Sequence, residues 1–206
     1  MQNYDAILID AGTGNLHSVY NALLPLGFSI KLSKDPHDLQ AADRIILPGV
    51  GAFGGFMEGL DRCDLIPAIQ EAAQRGTPLF GICVGMQALF AYSTEMGQHP
   101  GLELLPGKVI RFENTPGFKI PHTGWNQLWF GEHPSPLFQC LPDGSHAYFN
   151  HAWYCLPEDD SVTAARTDYI RNFTSAVQRD NIVGVQFHPE KSQQVGQRIL
   201  QNFFTL

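Results

Sequence analysis

Three apolar segments in the first half of the chain, "YDAILID" (4–10), "DRIILPG" (43–49) and "TPLFGIC" (77–83), each run into a glycine-rich turn. Near-continuous apolar strands of this kind suit a sheet covered on both faces, which is a parallel sheet flanked by helices. The segments between them carry the crossovers. "LHSVYNALLPLG" (16–27) reads as a helix stopped at Gly27, with Pro25 marking a kink or an early end. "DLIPAIQEAAQRG" (64–76) is a second helix closed by glycine, and "GMQALFAYSTEMG" (85–97) is expected to be a third. "FSIKLS" (28–33) adds a strand, while "AGTGN" (11–15) and "PGVGAFGG" (48–55) read as glycine-rich turns.

The second half has a different pattern. "GKVIRFE" (107–113), "KIPHTGWNQLWF" (119–130), "HAYFNHAWYC" (146–155), "SVTAARTD" (161–168), "FTSAVQRD" (173–180) and "NIVGVQF" (181–187) are strand-like, with turn signals between them. "SQQVGQRILQNFF" (192–204) closes the chain as an amphipathic helix. The expected fold class is α/β. A mostly parallel central sheet is flanked by helices, and antiparallel strands come from the second half. With 206 residues, 44% of them hydrophobic, the chain suits one domain spanning 1–206.

Composition excludes several function classes. Only 16% of residues are charged, so a disordered or coiled-coil protein is not expected, and with a net charge of −7 and few, scattered basic residues neither is a nucleic-acid footprint. No stretch approaches the apolar length of a membrane span. "MQNYDAILID" lacks the basic region and long apolar run of a signal peptide, which makes the cytosol the expected compartment. The four cysteines form no C-x-x-C pair, and the eight histidines lack metal-ligand spacing, so neither a disulfide framework nor a metal site is expected.

Chemistry concentrates in two motifs. "GICVGMQ" (81–87) has the form G-x-C-x-G between a strand and a helix, like the G-x-S-x-G nucleophile elbow. Glycines let strand and helix approach closely around a strained nucleophile, and the N-terminus of the following helix favours a thiolate. On this motif alone, Cys83 reads equally well as a nucleophile or as a small buried hydrophobe. "GVQFHPEKS" (184–192) supplies what a thiolate needs. His188 is a candidate base, and Glu190, two residues on in extended backbone, is placed to orient it. Both motifs end strands, where sites form in open α/β sheets. "LPGVGAF" (47–53) is a candidate oxyanion site, with the backbone of Gly49, Val50 and Gly51 joined by the Val84 N–H. Taken alone, such a loop is more simply a tight turn. "GTGN" (12–15) matches neither phosphate-loop pattern.

Together these motifs resemble the class I (triad) glutamine amidotransferases. Within that class the chain is most similar to the glutaminase subunits of imidazole glycerol phosphate synthase. The resemblance covers nearly the whole chain through "GTGNLHSV" (12–19), "LPGVGAF", "GICVGMQ", "PHTGWN" (121–126), "YFNH" (148–151) and "GVQFHPEKS". It implies a glutamine amidotransferase type 1 domain over 1–206. In the implied reaction Cys83 attacks the glutamine side-chain amide, His188 serves as base and then protonates ammonia, and Glu190 orients His188. It implies that Gln87 contacts glutamine, and that "PGVG" is an oxyanion strand whose backbone reorients when the partner binds its ligand. It further implies a heterodimer with a (β/α)8-barrel cyclase, with Asn15, Tyr148 and Lys191 at or near the interface, and no cofactor. The cyclase would use the ammonia to make imidazole glycerol phosphate and AICAR in histidine biosynthesis.

The chain departs from the usual pattern at Ala11, at Thr123 and from Asn150 to Tyr154. Relatives of this subunit also supply ammonia to other synthases, including in surface-sugar amidation. That partner exchange is the nearest alternative, followed by an inactive binding module. A papain-like protease fits poorly, since it wants its cysteine near the chain start and an asparagine orienter.

Overall fold

The apolar segments of the first half do become strands buried along their whole length. In the computed structural model, which describes residues 4–12, 15–131 and 134–206, β1 (Ala6–Ile9), β3 (Ile45–Gly49) and β4 (Leu79–Cys83) are buried at every position. Together with β2 (Ile30–Ser33) and β13 (Ile182–Val185) they form a parallel block in the order β2-β1-β3-β4-β13. The registers Gly49↔Cys83 and Val185↔Ile82 bring the C-terminal ends of β3, β4 and β13 side by side. That edge is where an open α/β sheet builds its sites.

Helices cover both faces. Helix α1 (Leu16–Leu23) stops early, passes into a 3-10 turn at Leu24–Leu26, and ends at Gly27 with φ 87°. Pro25 cannot donate the next helical bond, and glycine accepts the left-handed stop. Helix α4 (Leu65–Gln74) buries Leu65, Ile69 and Ala72. Helix α6 (Gln193–Phe203) buries Ile199, Leu200 and Phe203, with the Phe203 ring 5.0 Å from that of Phe80 on β4. Each large side chain buried in this way contributes about 1.5–3 kcal/mol.

The second half extends the sheet in mixed fashion. Strand β12 (Asn172–Arg179) turns back on β13 through Asp180. Beyond it lie β10 (Trp153–Pro157), β7 (Leu105–Arg111), β5 (Phe90–Ser93) and β6 (His99–Pro100). Strand β11 (Thr163–Asp168) pairs with β12 and with β8 (His122–Phe130), which in turn pairs with β9 (Ser145–His151). The α/β class and mixed sheet agree with the sequence.

Four local expectations need correction. The helix expected over 85–97 is only α5 (Val84–Ala88), because Phe90–Ser93 pairs with β7 instead. Pairing with a neighbouring strand outweighs weak helix propensity there. The turn expected over 48–55 is shorter: Phe53 opens α3 (Phe53–Asp61), which buries Phe53, Phe56 and Leu60. A short α2 (Pro36–Gln40), capped by the Asp35 side chain on the His37 N–H, was not expected. Residues 146–155 are two strands separated at Ala152 rather than one run. In the "GTGN" turn, Thr13 and Gly14 lie outside the described residues.

Candidate active site

Cys83 closes β4 with φ 54° and ψ −110°, a left-handed backbone that a non-glycine residue adopts at a cost of about 1–3 kcal/mol. Close packing holds it there. A Cβ on Gly85 would run into the Leu47 carbonyl, one on Gly81 would sit 2.7 Å from the Gly85 carbonyl oxygen, and one on Gly49 would sit 2.8 Å from the Gly85 nitrogen. The glycines therefore let α5 lie directly on β3 and β4. Since α5 has five residues, the dipole at its N-terminus is that of little more than one turn, less than the long helix expected from the sequence would supply.

His188 leaves the end of β13. Its N–H donates to the Tyr148 carbonyl at 2.8 Å, and its own carbonyl accepts from Ser192 Oγ at 2.7 Å. Ser192 Oγ also accepts the Tyr148 N–H at 3.0 Å, so one hydroxyl joins β9 to the His188 backbone. The His188 Nδ1 lies 2.9 Å from Glu190 Oε1, with the side chains 4% and 1% exposed. Glu190 reaches the ring from a 3-10 turn, Pro189–Lys191, and not along extended backbone. Burial drives the His188 pKa down, but hydrogen bonding to Cys83 and Glu190 outweighs it and raises the value to about 10. With Nδ1 committed to Glu190, Nε2 is the nitrogen left for the sulfur.

Cys83 and His188 line one cleft with Val50, Gly51, Val84 and Gln87. Of the backbone groups expected at an oxyanion site, Val50, Gly51 and Val84 reach this cleft. Gly49 is buried behind them against α5. Gly51 has φ 90°, a conformation that glycine adopts without strain. The Gln87 amide donates to the Trp153 carbonyl at 3.0 Å and to Gln186 Oε1 at 3.1 Å, which leaves its oxygen as the free acceptor.

Of the three residues expected near an interface, Lys191 and Tyr148 lie together, and α1, which Asn15 precedes, packs against the Pro189–Lys191 turn. Lys191 is exposed at the cleft rim, with its ammonium 5.7 Å from the centre of the Tyr148 ring. Tyr148 meets Trp125 edge-on at 6.2 Å, and Trp125 is 48% exposed. Asn15 precedes α1, its Oδ1 accepting from Ser18 Oγ at 2.6 Å. Of the divergent positions, Asn150, His151, Ala152 and Trp153 line the cleft, whereas Ala11 is buried beside Gly59.

Two polar side chains at the site were missed. Gln186 Nε2 donates to Cys83 Sγ at 3.7 Å. Its spacing of two from His188 on an extended segment was the available signal. Glu95 lines the cleft and accepts the Phe53 N–H at 2.8 Å. Nothing in the sequence marked it, because it lay inside the supposed helix.

A doubly covered α/β sheet with this cysteine elbow and His–Glu pair defines a thiol amidotransferase site. The sequence profile of the glutamine amidotransferase class-I family matches residues 7–206, and the chain belongs to that family. Within it, the chain is 46% identical to imidazole glycerol phosphate synthase subunit HisH of Syntrophotalea carbinolica over 96% of this chain and 98% of that one. It is 47% identical to the HisH of Moorella thermoacetica, covering 95% and 92%, and 46% identical to that of Aquifex aeolicus, covering 96% and 94%. Among solved structures, a glutamine amidotransferase crystal structure superposes with a TM-score of 0.76 at 20% identity, covering 97% of each chain. The PurLQS structure from Thermotoga maritima gives 0.76 at 22% identity, covering 100% and 99%. These two share the fold.

Proposed function

We propose that this chain is the glutaminase subunit of an imidazole glycerol phosphate synthase, with residues 1–206 forming one glutamine amidotransferase domain. The observation that carries the reading is Cys83 on a strained elbow in the same cleft as the buried His188–Glu190 pair. The Cys83 sulfur, as thiolate beside the imidazolium of His188, attacks the side-chain amide carbon of glutamine. The carbonyl electrons move onto oxygen, which the Val84 N–H and a reoriented Val50–Gly51 peptide stabilise. Collapse breaks the C–N bond, and His188 gives its proton to the leaving nitrogen, releasing ammonia. His188 then takes a proton from water as it attacks the glutamyl thioester. Glutamate leaves and the thiolate is restored. Glu190 keeps the imidazole oriented and favours its protonated form. Glu95 offers the cleft a carboxylate suited to the α-ammonium of glutamine, and the free oxygen of Gln87 offers an acceptor.

The proposed partner is a (β/α)8-barrel cyclase docking over the face that bears Tyr148, Lys191 and Asn15. It receives the ammonia directly and forms imidazole glycerol phosphate and AICAR. The proposed compartment is the cytosol. All four cysteines are free thiols, which suits a reducing environment. No helix among the described residues is long and apolar enough to cross a membrane.

Glutamine hydrolysis should be measured with the cyclase and its ligand, and without them. Strong stimulation is expected, and Cys83→Ala should abolish turnover while leaving the fold intact. Hydrolysis that this cyclase does not stimulate would assign the ammonia to another synthase. Activity surviving in Cys83→Ala would end the thiol mechanism.

A further inference from the structure

A continuous run of hydrogen bonds connects the β8–β9 pair to the Cys83 sulfur. His122 on β8 stands opposite His151 on β9, with Nδ1 of His122 3.1 Å from Nε2 of His151. Nδ1 of His151 lies 2.8 Å from the Trp153 carbonyl oxygen. A carbonyl only accepts, so this Nδ1 carries the proton and Nε2 of His151 is an acceptor. His122 Nδ1 must then donate to it, and His122 Nε2 accepts from Asn126 Nδ2 at 3.2 Å. Each ring has one consistent state, the neutral Nδ1–H tautomer. Aromatic rings enclose the pair: Phe149 and Tyr169 stack on His122, and Phe112 and Phe173 pack at His151. Two titratable groups act electrostatically on His151, His122 beside it and His188.

The run continues beyond the histidines. The Trp153 carbonyl that takes the His151 proton also takes the Gln87 amide proton, and Gln87 donates to Gln186 Oε1. That leaves Gln186 Nε2 to donate to Cys83 Sγ. Flipping the Gln87 amide would set oxygen against the Trp153 carbonyl oxygen, and flipping Gln186 would set N–H against N–H. The carbonyl therefore orients both amides.

We propose that His122 and His151 are positioning residues: locked as neutral Nδ1–H tautomers, they hold the Trp153 carbonyl where it orients Gln87 and Gln186 against the Cys83 sulfur. The proposal rests on the glutaminase reading of the cleft. It adds a second support for the nucleophile, separate from His188 and Glu190.

Three measurements on the full chain test it. His151→Phe fills the site without a hydrogen bond, whereas His151→Asn places an amide N–H near the lost Nδ1. In His151→Phe, kcat for glutamine hydrolysis, measured with the partner, should fall about tenfold or more while KM changes little, as expected for a misplaced nucleophile. His151→Asn should recover most of that loss. Alkylation by iodoacetamide, followed at the Cys83 peptide by mass spectrometry and needing no glutamine, should slow and recover in the same order. Long-range proton–nitrogen spectra of histidine-labelled wild type should show both rings as neutral Nδ1–H tautomers at pH 6. A folded His151→Phe variant with wild-type kcat and alkylation rate would overturn the proposal. So would an Nε2–H tautomer at either ring, a result that stands even if His151→Phe fails to fold. A wild type that hydrolyses no glutamine with any partner would sink the glutaminase reading, while the spectra and alkylation rates still judge the positioning pair.

Discussion

His122 and His151 should make the folded chain sensitive to acid well before its carboxylates protonate. Burial holds the pKa of His122 at about 4 and that of His151 at about 3, against an ordinary value of 6.5. His122 faces aromatic rings, Asn126 and His151; His151 faces aromatic rings and His122, and both His122 and His188 add repulsion there. The sign follows from proton counting. Below pH 6.5 the unfolded chain binds a proton at each site and the folded chain does not, so stability falls as pH falls. Between pH 6.5 and 5 each site removes about 1.6 kcal/mol, so the pair removes about 3 kcal/mol, with a slope near 2.5 kcal/mol per pH unit at pH 5. That is a large part of a typical domain stability of about 5–15 kcal/mol. His188, raised to about 10, is protonated in the folded chain across this window while its unfolded form goes from half to nearly fully protonated, so it offsets only about 0.4 kcal/mol of that loss. Its stabilisation is lost on the other side, as pH rises from 6.5 toward 10. Urea unfolding at half-unit pH steps from 6.5 to 5 measures the slope, provided the m-value stays constant. His151→Phe should remove about half of it. A wild-type change below about 1 kcal/mol over that interval would refute the burial argument.

Three further outcomes follow from the site. Gly85→Ala should destabilise the fold by about 3 kcal/mol or more, since its Cβ would meet the Leu47 carbonyl; thermal unfolding would reveal a tolerant site by an unchanged Tm. Glu190→Gln should lower glutaminase kcat by about 10²-fold or more and bring the His188 pKa down, because the ring loses its anionic partner; pH-rate profiles and imidazole titration by NMR give the two readings. Gly51→Val, at φ 90°, should cost about 1–3 kcal/mol locally and blunt stimulation by the cyclase; a wild-type stimulation ratio would dismiss the reorienting peptide.

Strands β1, β3 and β4 of the parallel block were legible because they are apolar along their whole length and run into glycine-containing turns, a pattern set by burial on both faces; β2 at the block's edge alternates instead, with Leu32 exposed. "GICVGMQ" and "FHPE" were legible as an elbow and a base because each couples a strand end to the start of a turn. The β5 segment was misread because "LFAYS" suits helix and strand alike, and only its pairing with β7 decides. That error also hid Glu95. The start of α3 was hidden by its glycines, which read as a loop until Phe53 and Phe56 have a core to enter. The His122–His151 pair is 29 residues apart in sequence and becomes visible only once β8 and β9 are in register. Gln186 was within reach of period-two reasoning, but the sequence does not show that its amide points at sulfur.

The glycines around the elbow bear on which substitutions this chain can explore. Gly49, Gly81, Gly85 and Gly184 come from β3, β4, α5 and β13, and an added methyl on any of them strikes a neighbour within 3 Å. At Gly49, Gly81 and Gly85 the wall includes the backbone of the neighbouring element, which cannot give way, and at Gly184 it is the buried Met86 side chain. In a random mutant library these positions should form a blank patch extending beneath the cleft, where the frame around the nucleophile tolerates as little change as the nucleophile itself. Variation that alters what the chain serves has room above that patch, at cleft-lining positions such as Asn150 and Ala152 on either side of the buried His151.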